Sequence, residues 1–113
     1  MLIGCFASVM IERLKQIWDR HANWSQAQFG LDSERGPIYP IRHLFLEVAE
    51  LRDAPNDISE AADCYLLLSD AVRRSGRTFE DFVQAIETKL SINEKRRWKK
   101  PDENGVSEHV EGT

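Results

Sequence analysis

Cysteine is scarce in this 113-residue chain, with Cys5 and Cys64 the only two. Each sits among apolar neighbours, which suits reduced, buried thiols in a cytosolic protein. The spacing excludes a disulfide framework and offers no Cys/His set for zinc. Excess positive charge is also missing. Fifteen lysines and arginines face 19 aspartates and glutamates, for a net charge of −4, and this argues against a general nucleic-acid binder. No apolar run is long enough to span a bilayer. The apolar start, MLIGCFASVMI, lacks a basic leader and runs straight into an amphipathic pattern, so it is read as a buried first helix rather than a signal or membrane segment. Repeats and low-complexity tracts are absent, and strand-type alternation appears nowhere, which leaves an all-α fold. At 42% hydrophobic and 30% charged residues, the composition is that of an ordinary soluble domain with one modest core.

Glycines and prolines punctuate four helices. The first is expected from about Cys5 to His21 or a little beyond, followed by WSQAQFG (24–30), with Gly30 as a stop. LDSERGPIYP (31–40) reads as a loop because Gly36, Pro37 and Pro40 all break regular structure. A second helix begins just after Pro40 and ends near Asp53 or Ala54. A third starts from an Asn56 or Asp57 cap and runs to about Ser75, before Gly76. The fourth opens at Thr78, where Thr78 and Asp81 resemble a capping box, and continues to about Arg97. Residues 1–100 form the domain; 101–113 form a polar tail with little to bury, mobile unless a partner or the active site orders it.

The second and third helices carry acids at regular spacing. Ile41, Leu44, Phe45, Val48 and Leu51 form an apolar stripe on the second helix, and Glu47 and Glu50 share another with His43. On the third, Cys64, Leu68, Ala71 and Val72 make a core face beside a stripe of Glu60, Asp63 and Asp70, and Ala61–Leu68 should be largely buried. The short Ala54-Pro55-Asn56-Asp57 turn forces the helices antiparallel, so Glu47/Glu50 comes opposite Glu60/Asp63. One acidic pair alone is what a solvated helix face shows, and Asp57 with Glu60 also fits a capping box. Two facing pairs among leucines repel one another and are costly to bury unless neutralised, and the natural neutraliser is a divalent cation. All-oxygen ligands point to Mg2+ or Mn2+, and the absence of Glu-x-x-His excludes a di-iron bundle. Asp70 reads either as an outer ligand or as a helix-surface acid.

On the fourth helix Phe79, Phe82, Val83, Ile86 and Leu90 are core, and Lys89, Asn93 and Arg96 share one edge. A lysine, an amide and an arginine suit phosphate oxygens. Beside a metal cluster they complete the equipment for attack by water on a phosphoanhydride.

Glu47-x-x-Glu50 followed after nine residues by Glu60-x-x-Asp63 is similar to the metal motif of the MazG-like all-α NTP pyrophosphatases. Lys89-x-x-x-Asn93-x-x-Arg96 resembles their phosphate-contacting segment. Together with WSQAQFG, RGPIYPIRHLFLEVAE (35–50), DISEAADCYLLLSDAVRRSG (57–76) and KLSINEKRRW (89–98), these segments resemble the phage-type dATP/dGTP pyrophosphohydrolase branch. Within it, they are similar to the MazZ-type proteins of phages with diaminopurine DNA. Leu46 stands where many relatives have a second adjacent acid, and the loop between the motifs is short. The resemblance implies a MazG-like four-helix bundle with an antiparallel acidic hairpin. It implies hydrolysis of a purine (d)NTP, dGTP, GTP or dATP, to the monophosphate and pyrophosphate, with dGMP available for diaminopurine nucleotide synthesis. It further implies Mg2+ or Mn2+ on Glu47, Glu50, Glu60 and Asp63, with Glu47 or Glu50 as the base that activates water. Phosphates would meet Lys89, Asn93 and Arg96. Trp24 and Phe29 are candidates to stack on the base, with a core role as the alternative, and Gln28 or Asn23 to read its edge. His43 and His109 are read as capping or surface residues, with a place near the triphosphate as the alternative.

Apolar residues on several faces of so short a chain favour self-association, and the resemblance implies a homotetramer or dimer. The location expected is the cytoplasm, that of a host cell if the gene is a phage's, without nucleic-acid or membrane partners. Two alternatives stand beside the main one: a house-cleaning pyrophosphatase for modified or pyrimidine nucleotides, and a non-enzymatic helical module whose acids bind a structural cation.

Overall fold

The computed structural model describes residues 2–113, with side chains from Gly4 onward. Its four helices are α1 (Leu2–Phe29), α2 (Ile38–Asp53), α3 (Ile58–Arg74) and α4 (Phe79–Lys95). The chain divides into two compact units, residues 1–79 and 80–113, and each is described by itself.

In the first unit α1 runs through WSQAQF and stops at Gly30. That glycine has φ +107°, a left-handed conformation that glycine adopts without steric cost. α2 begins at Ile38 and takes Pro40 into its first turn, earlier than the proline suggests. A first-turn proline gives up only an N–H that has no helical partner there. Asp57 caps α3, its Oδ1 accepting from the Ser59 backbone N–H at 3.0 Å and from the Ser59 hydroxyl at 2.6 Å. At the other end Gly76 (φ +89°) closes the helix, its N–H reaching the Arg73 carbonyl at 2.9 Å.

α3 packs against both α2 and α1. Among the described residues the buried apolar side chains are Trp18, Pro40, Ala71 and Phe79, with the Trp18 and Phe79 rings 5.6 Å apart. This core is smaller than the apolar stripes suggest. Phe45 and Val48 of the expected α2 core face are exposed, as are Ala61, Ala62, Tyr65 and Leu68 within the stretch expected to be buried. Cys5 and its α1 neighbours Phe6, Val9 and Ile11 are likewise exposed, so α1 is not the buried helix expected. Periodicity marks which face of a helix is apolar. A single chain with these few helices has no further layer to lay over those faces.

In the second unit α4 leads into a short ordered hairpin rather than a loose tail. The Lys99 N–H donates to the Glu108 carbonyl at 2.8 Å, and Val110 to Arg97 at 2.7 Å, around a single antiparallel bridge between Trp98 and His109. Asp102 Oδ1 builds the turn by accepting from the N–H groups of Asn104 and Val106. Among the described residues no helix is long and apolar enough to cross a membrane.

Candidate metal centre and adjoining cavity

The turn at 54–57 folds α3 back along α2. Each helix presents one carboxylate per turn to the other, because residues three and four apart share a face. Glu47, Glu60 and Asp63 each bring one oxygen to a common point, these atoms lying within 4.8 Å of one another. Glu50 stands beside them and, like Asp63, is exposed. No lysine or arginine among the described residues of this unit pairs with any of the four. The one basic contact is His43, whose Nε2 lies 3.3 Å from Glu47 Oε1.

Two observations test whether the site fits a divalent cation. First, Glu47 Oε2 and Glu60 Oε2 are buried without a hydrogen-bond partner. Buried carboxylate oxygens of this kind are costly unless a cation meets them. Second, the acids disturb one another. A hydrogen bond shared with Glu50 pushes the Glu47 carboxyl above the ordinary glutamate range, with burial and the charges of Glu50 and Asp63 adding to it. Burial does the same to Glu60, reinforced by Glu50, Asp57 and Asp63. An all-oxygen trio with orphaned lone pairs and mutual repulsion fits Mg2+ or Mn2+.

A prediction follows from the sign of these shifts. A carboxyl raised on folding binds more protons folded than unfolded, so its contribution to stability falls as pH rises through the raised value. The metal-free protein is therefore expected to lose stability from this site as pH climbs above the ordinary glutamate value of about 4.3. Mn2+ held by Glu47, Glu60 and Asp63 would displace those protons and offset the repulsion. Its stabilisation, read as a melting-temperature shift, should be larger at about pH 7.5 than at about pH 5. An equal shift at both would contradict the ligand assignment.

Asp70 is neither an outer ligand nor a surface acid. It is 4% exposed and enclosed by arginines. Arg74 Nε reaches Asp70 Oδ2 at 3.0 Å, and Arg73 Nη2 bonds Asp70 Oδ1. Arg73 also grips Asp32 with two bonds of 3.1 Å. The remaining Arg74 donors go to the carbonyls of Gly30 and Arg35 and to Ser25 Oγ. Burial pushes the Asp70 carboxyl up, but hydrogen bonds from Ser25, Arg74 and Arg73 outweigh it and hold the group below the ordinary aspartate range. This knot pins the end of α1 and the loop after it to α3. Its signal was in the sequence: Asp70 stands three and four residues before Arg73 and Arg74, the spacing of a helical ion pair.

Beside the knot lies a cavity of about 350 Å3 lined by Gln28, Phe29, Arg35, Tyr39, Pro40, His43, Leu67, Asp70 and Arg74. Of the candidate base-binding residues, Gln28 and Phe29 reach this cavity. Trp24 does not line it; it packs edge-on to Phe29 at 5.4 Å and stacks with His21 at 6.0 Å. His43 is more than a surface residue, since it lines the cavity and touches Glu47.

The candidate phosphate-binding residues belong to the second unit. Arg96 Nη1 donates to Asn93 Oδ1 at 3.3 Å and its Nε to the Thr113 carbonyl at 3.2 Å, while Lys89 is exposed. His109 packs edge-on against Trp98 at 5.9 Å.

Comparison with known proteins gives a consistent picture. The family model described as dATP/dGTP pyrophosphohydrolase matches residues 17–113. The Eaa protein of Salmonella phage P22 is 35% identical over 108 residues, 96% of this chain; the chain spans only 33% of that relative's length. A dATP/dGTP diphosphohydrolase of cyanophage S-2L is 35% identical over 85 residues, covering 74% of this chain and 77% of that protein. Among solved structures, the cyanophage S-2L MazG-like pyrophosphohydrolase, bound to dGDP and three catalytic Mn2+ ions per active site, is similar with a TM-score of 0.68 and 29% identity. That match covers 84% of this chain and 94% of the other.

Proposed function

Since the chain belongs to the dATP/dGTP pyrophosphohydrolase family, we propose that it is a metal-dependent hydrolase converting a purine (d)NTP, dGTP, GTP or dATP, to the monophosphate and pyrophosphate. The observation that carries this is the convergence of Glu47, Glu60 and Asp63 within 4.8 Å, with two buried oxygens left unpaired.

Glu47, Glu60 and Asp63 would hold Mg2+ or Mn2+, with Glu50 beside them. A bound divalent ion supplies Lewis-acid polarisation of the phosphate oxygens and acidifies water. Glu50, outside the converging trio, takes the proton from the attacking water. The water oxygen bonds to the α-phosphorus, and the bond from that phosphorus to the bridging oxygen breaks. Pyrophosphate leaves with that oxygen. His43 braces Glu47. The resemblance assigns phosphate contact to Lys89, Asn93 and Arg96; Gln28 and Phe29 form the base side of the site, with Trp24 packed edge-on against Phe29. With dGTP the product is dGMP, a nucleotide that diaminopurine synthesis in a phage-infected cytoplasm would draw on; that link rests on the resemblance to the MazZ-type proteins.

The apolar side chains left exposed in the single chain, Ile58 at 85% and Phe45 at 75% among them, support a homodimer or tetramer in which second copies cover them. Light scattering that returned one chain's mass would oppose this. The test of the activity is a panel of dNTPs and NTPs incubated with Mg2+ or Mn2+, with products separated by chromatography. Purine monophosphate plus pyrophosphate, abolished by EDTA, is expected. Metal binding without turnover would mark a structural cation module instead, and turnover confined to pyrimidine or modified nucleotides would mark a house-cleaning enzyme.

A further inference from the structure

The cavity beside the acids presents one charged group that the fold does not already neutralise. Asp70 and Arg74 reach its wall, but their charges satisfy one another and their remaining bonds go to Arg73, Ser25 and backbone carbonyls. Arg35 differs. Its guanidinium lies over the Tyr39 ring, 4.7 Å from the centroid, and among the described residues no acceptor takes a hydrogen bond from its side chain. Its stem is held in place from below. A Cβ on Gly30 would stand 2.9 Å from Arg35 Cγ, so the glycine leaves the room in which the arginine lies.

The cavity is also aligned with the acids. Tyr39, His43 and Glu47 are four residues apart on α2, hence on one face. Tyr39 and Glu47 are thus about 12 Å apart along the helix, with His43 between them, lining the cavity and touching Glu47. A ligand with a flat ring in the cavity directs whatever it carries on the far side of His43 toward the acids. The volume falls within the range of small-molecule pockets, about 300–1,000 Å3.

We infer that this cavity is the base pocket and that Arg35, stacked on Tyr39, is the residue that selects guanine. The inference rests on the reading of the acids as a nucleotide pyrophosphohydrolase centre and adds to it the substrate base and the residue that reads it. A guanidinium is a planar fork of donors with no acceptor. Guanine offers two adjacent acceptors, O6 and N7, to such a fork. Adenine offers N7 beside an amino donor, which the fork meets with N–H against N–H. Arg35 therefore favours guanine, and the Tyr39 ring holds it flat.

The experiment compares wild type with Arg35→Met and Arg35→Lys, measuring kcat/KM for dGTP, dATP and 7-deaza-dGTP, which lacks the N7 acceptor. Arg35 is exposed, so the variants are expected to fold, and circular dichroism checks this. Wild type should prefer dGTP to both other substrates. In either variant dGTP should lose roughly ten- to a hundredfold, the discrimination of one bidentate arginine–guanine pair, while dATP changes less than about twofold. Lysine fails to rescue because a point charge cannot make the paired contact. Equal losses for dGTP and dATP, or full rescue by lysine, would overturn the inference and make Arg35 a phosphate contact. Metal-free binding of dGMP and dAMP by calorimetry supplies a readout independent of turnover. A dGMP preference that Arg35→Met erases supports the pocket even if no triphosphate is hydrolysed, whereas equal binding of both nucleotides counts against it. Absence of hydrolysis in wild type would overturn only the proposed activity.

Discussion

Asp63→Asn is expected to lower Mn2+-dependent hydrolysis of dGTP on the order of 10²–10³-fold or more, with the helical circular dichroism unchanged. Removing one preorganised electrostatic contact to a developing charge has an effect of this size. On the proposed assignment the loss should be larger still, because the carboxylate would act through an ion shared with Glu47 and Glu60, whose oxygens lie within 4.8 Å of its own. The fold should survive for a specific reason: Asp63 is exposed and has no ion-pair partner among the described residues of its unit. Its neighbours should relax. With one fewer charge nearby, the raised Glu47 and Glu60 carboxyls move toward their ordinary range. The metal-free variant is then expected to be no less stable than wild type near neutral pH, and to gain less from Mn2+. Glu50→Gln separates roles: it should lose turnover on a similar scale yet keep most of the Mn2+-induced thermal shift. A Glu50→Gln protein that binds Mn2+ no better than Asp63→Asn would make Glu50 a ligand rather than the base.

The largest effect on stability is expected far from the metal. Asp70→Ala should cost about 3–5 kcal/mol, the range for breaking a buried ion pair by removing one partner. At about 4–8 °C per kcal/mol for a domain of this size, the melting temperature should fall by well over 10 °C. The reason lies in what remains. Arg74 has a side chain only 1% exposed and would keep its charge with its nearest carboxylate gone. Asp32, 3.4 Å away, already serves Arg73. The pH dependence carries the same signature with the opposite sign to the metal site. A carboxyl held below its ordinary range contributes stability above its unfolded value of about 3.9 and loses it as pH falls through the lower folded value. Wild type should therefore show an acid-side loss that Asp70→Ala lacks. A drop of less than about 1 kcal/mol would mean that the arginines find water or other acceptors, and that the knot is dispensable.

The acidic hairpin was legible because its spacing is local: two acid pairs at helical intervals, on either side of a turn that contains proline, and the fold brings Glu47, Glu60 and Asp63 together as that spacing implies. The caps at Asp57 and Gly76 were legible for the same reason. Asp70 was misread because its i+3 and i+4 arginines, Arg73 and Arg74, were passed over in favour of the acidic stripe it shares with Glu60 and Asp63. Arg73, Asp32 and Ser25 complete that knot through contacts 41 to 49 residues apart in sequence, and no periodicity carries such information. The apolar stripe through Phe45 and Val48 was placed on the correct helix but assigned to a core. Amphipathicity specifies a face to be covered, and the covering surface need not belong to the same chain. Arg35 lay in a stretch read as loop and as part of a resembling segment, with no role of its own. Its position over Tyr39 depends on α2 starting at Ile38, ahead of the proline expected to delay it.

The most direct test of the central claim is to run dGTP hydrolysis with Mn2+ in water enriched in oxygen-18 and weigh the products. Attack on the α-phosphorus at the carboxylate centre predicts one labelled oxygen in dGMP, none in pyrophosphate, and no reaction with EDTA or in Asp63→Asn. Label appearing in pyrophosphate or in free phosphate, or a reaction indifferent to metal and to Asp63, would contradict it.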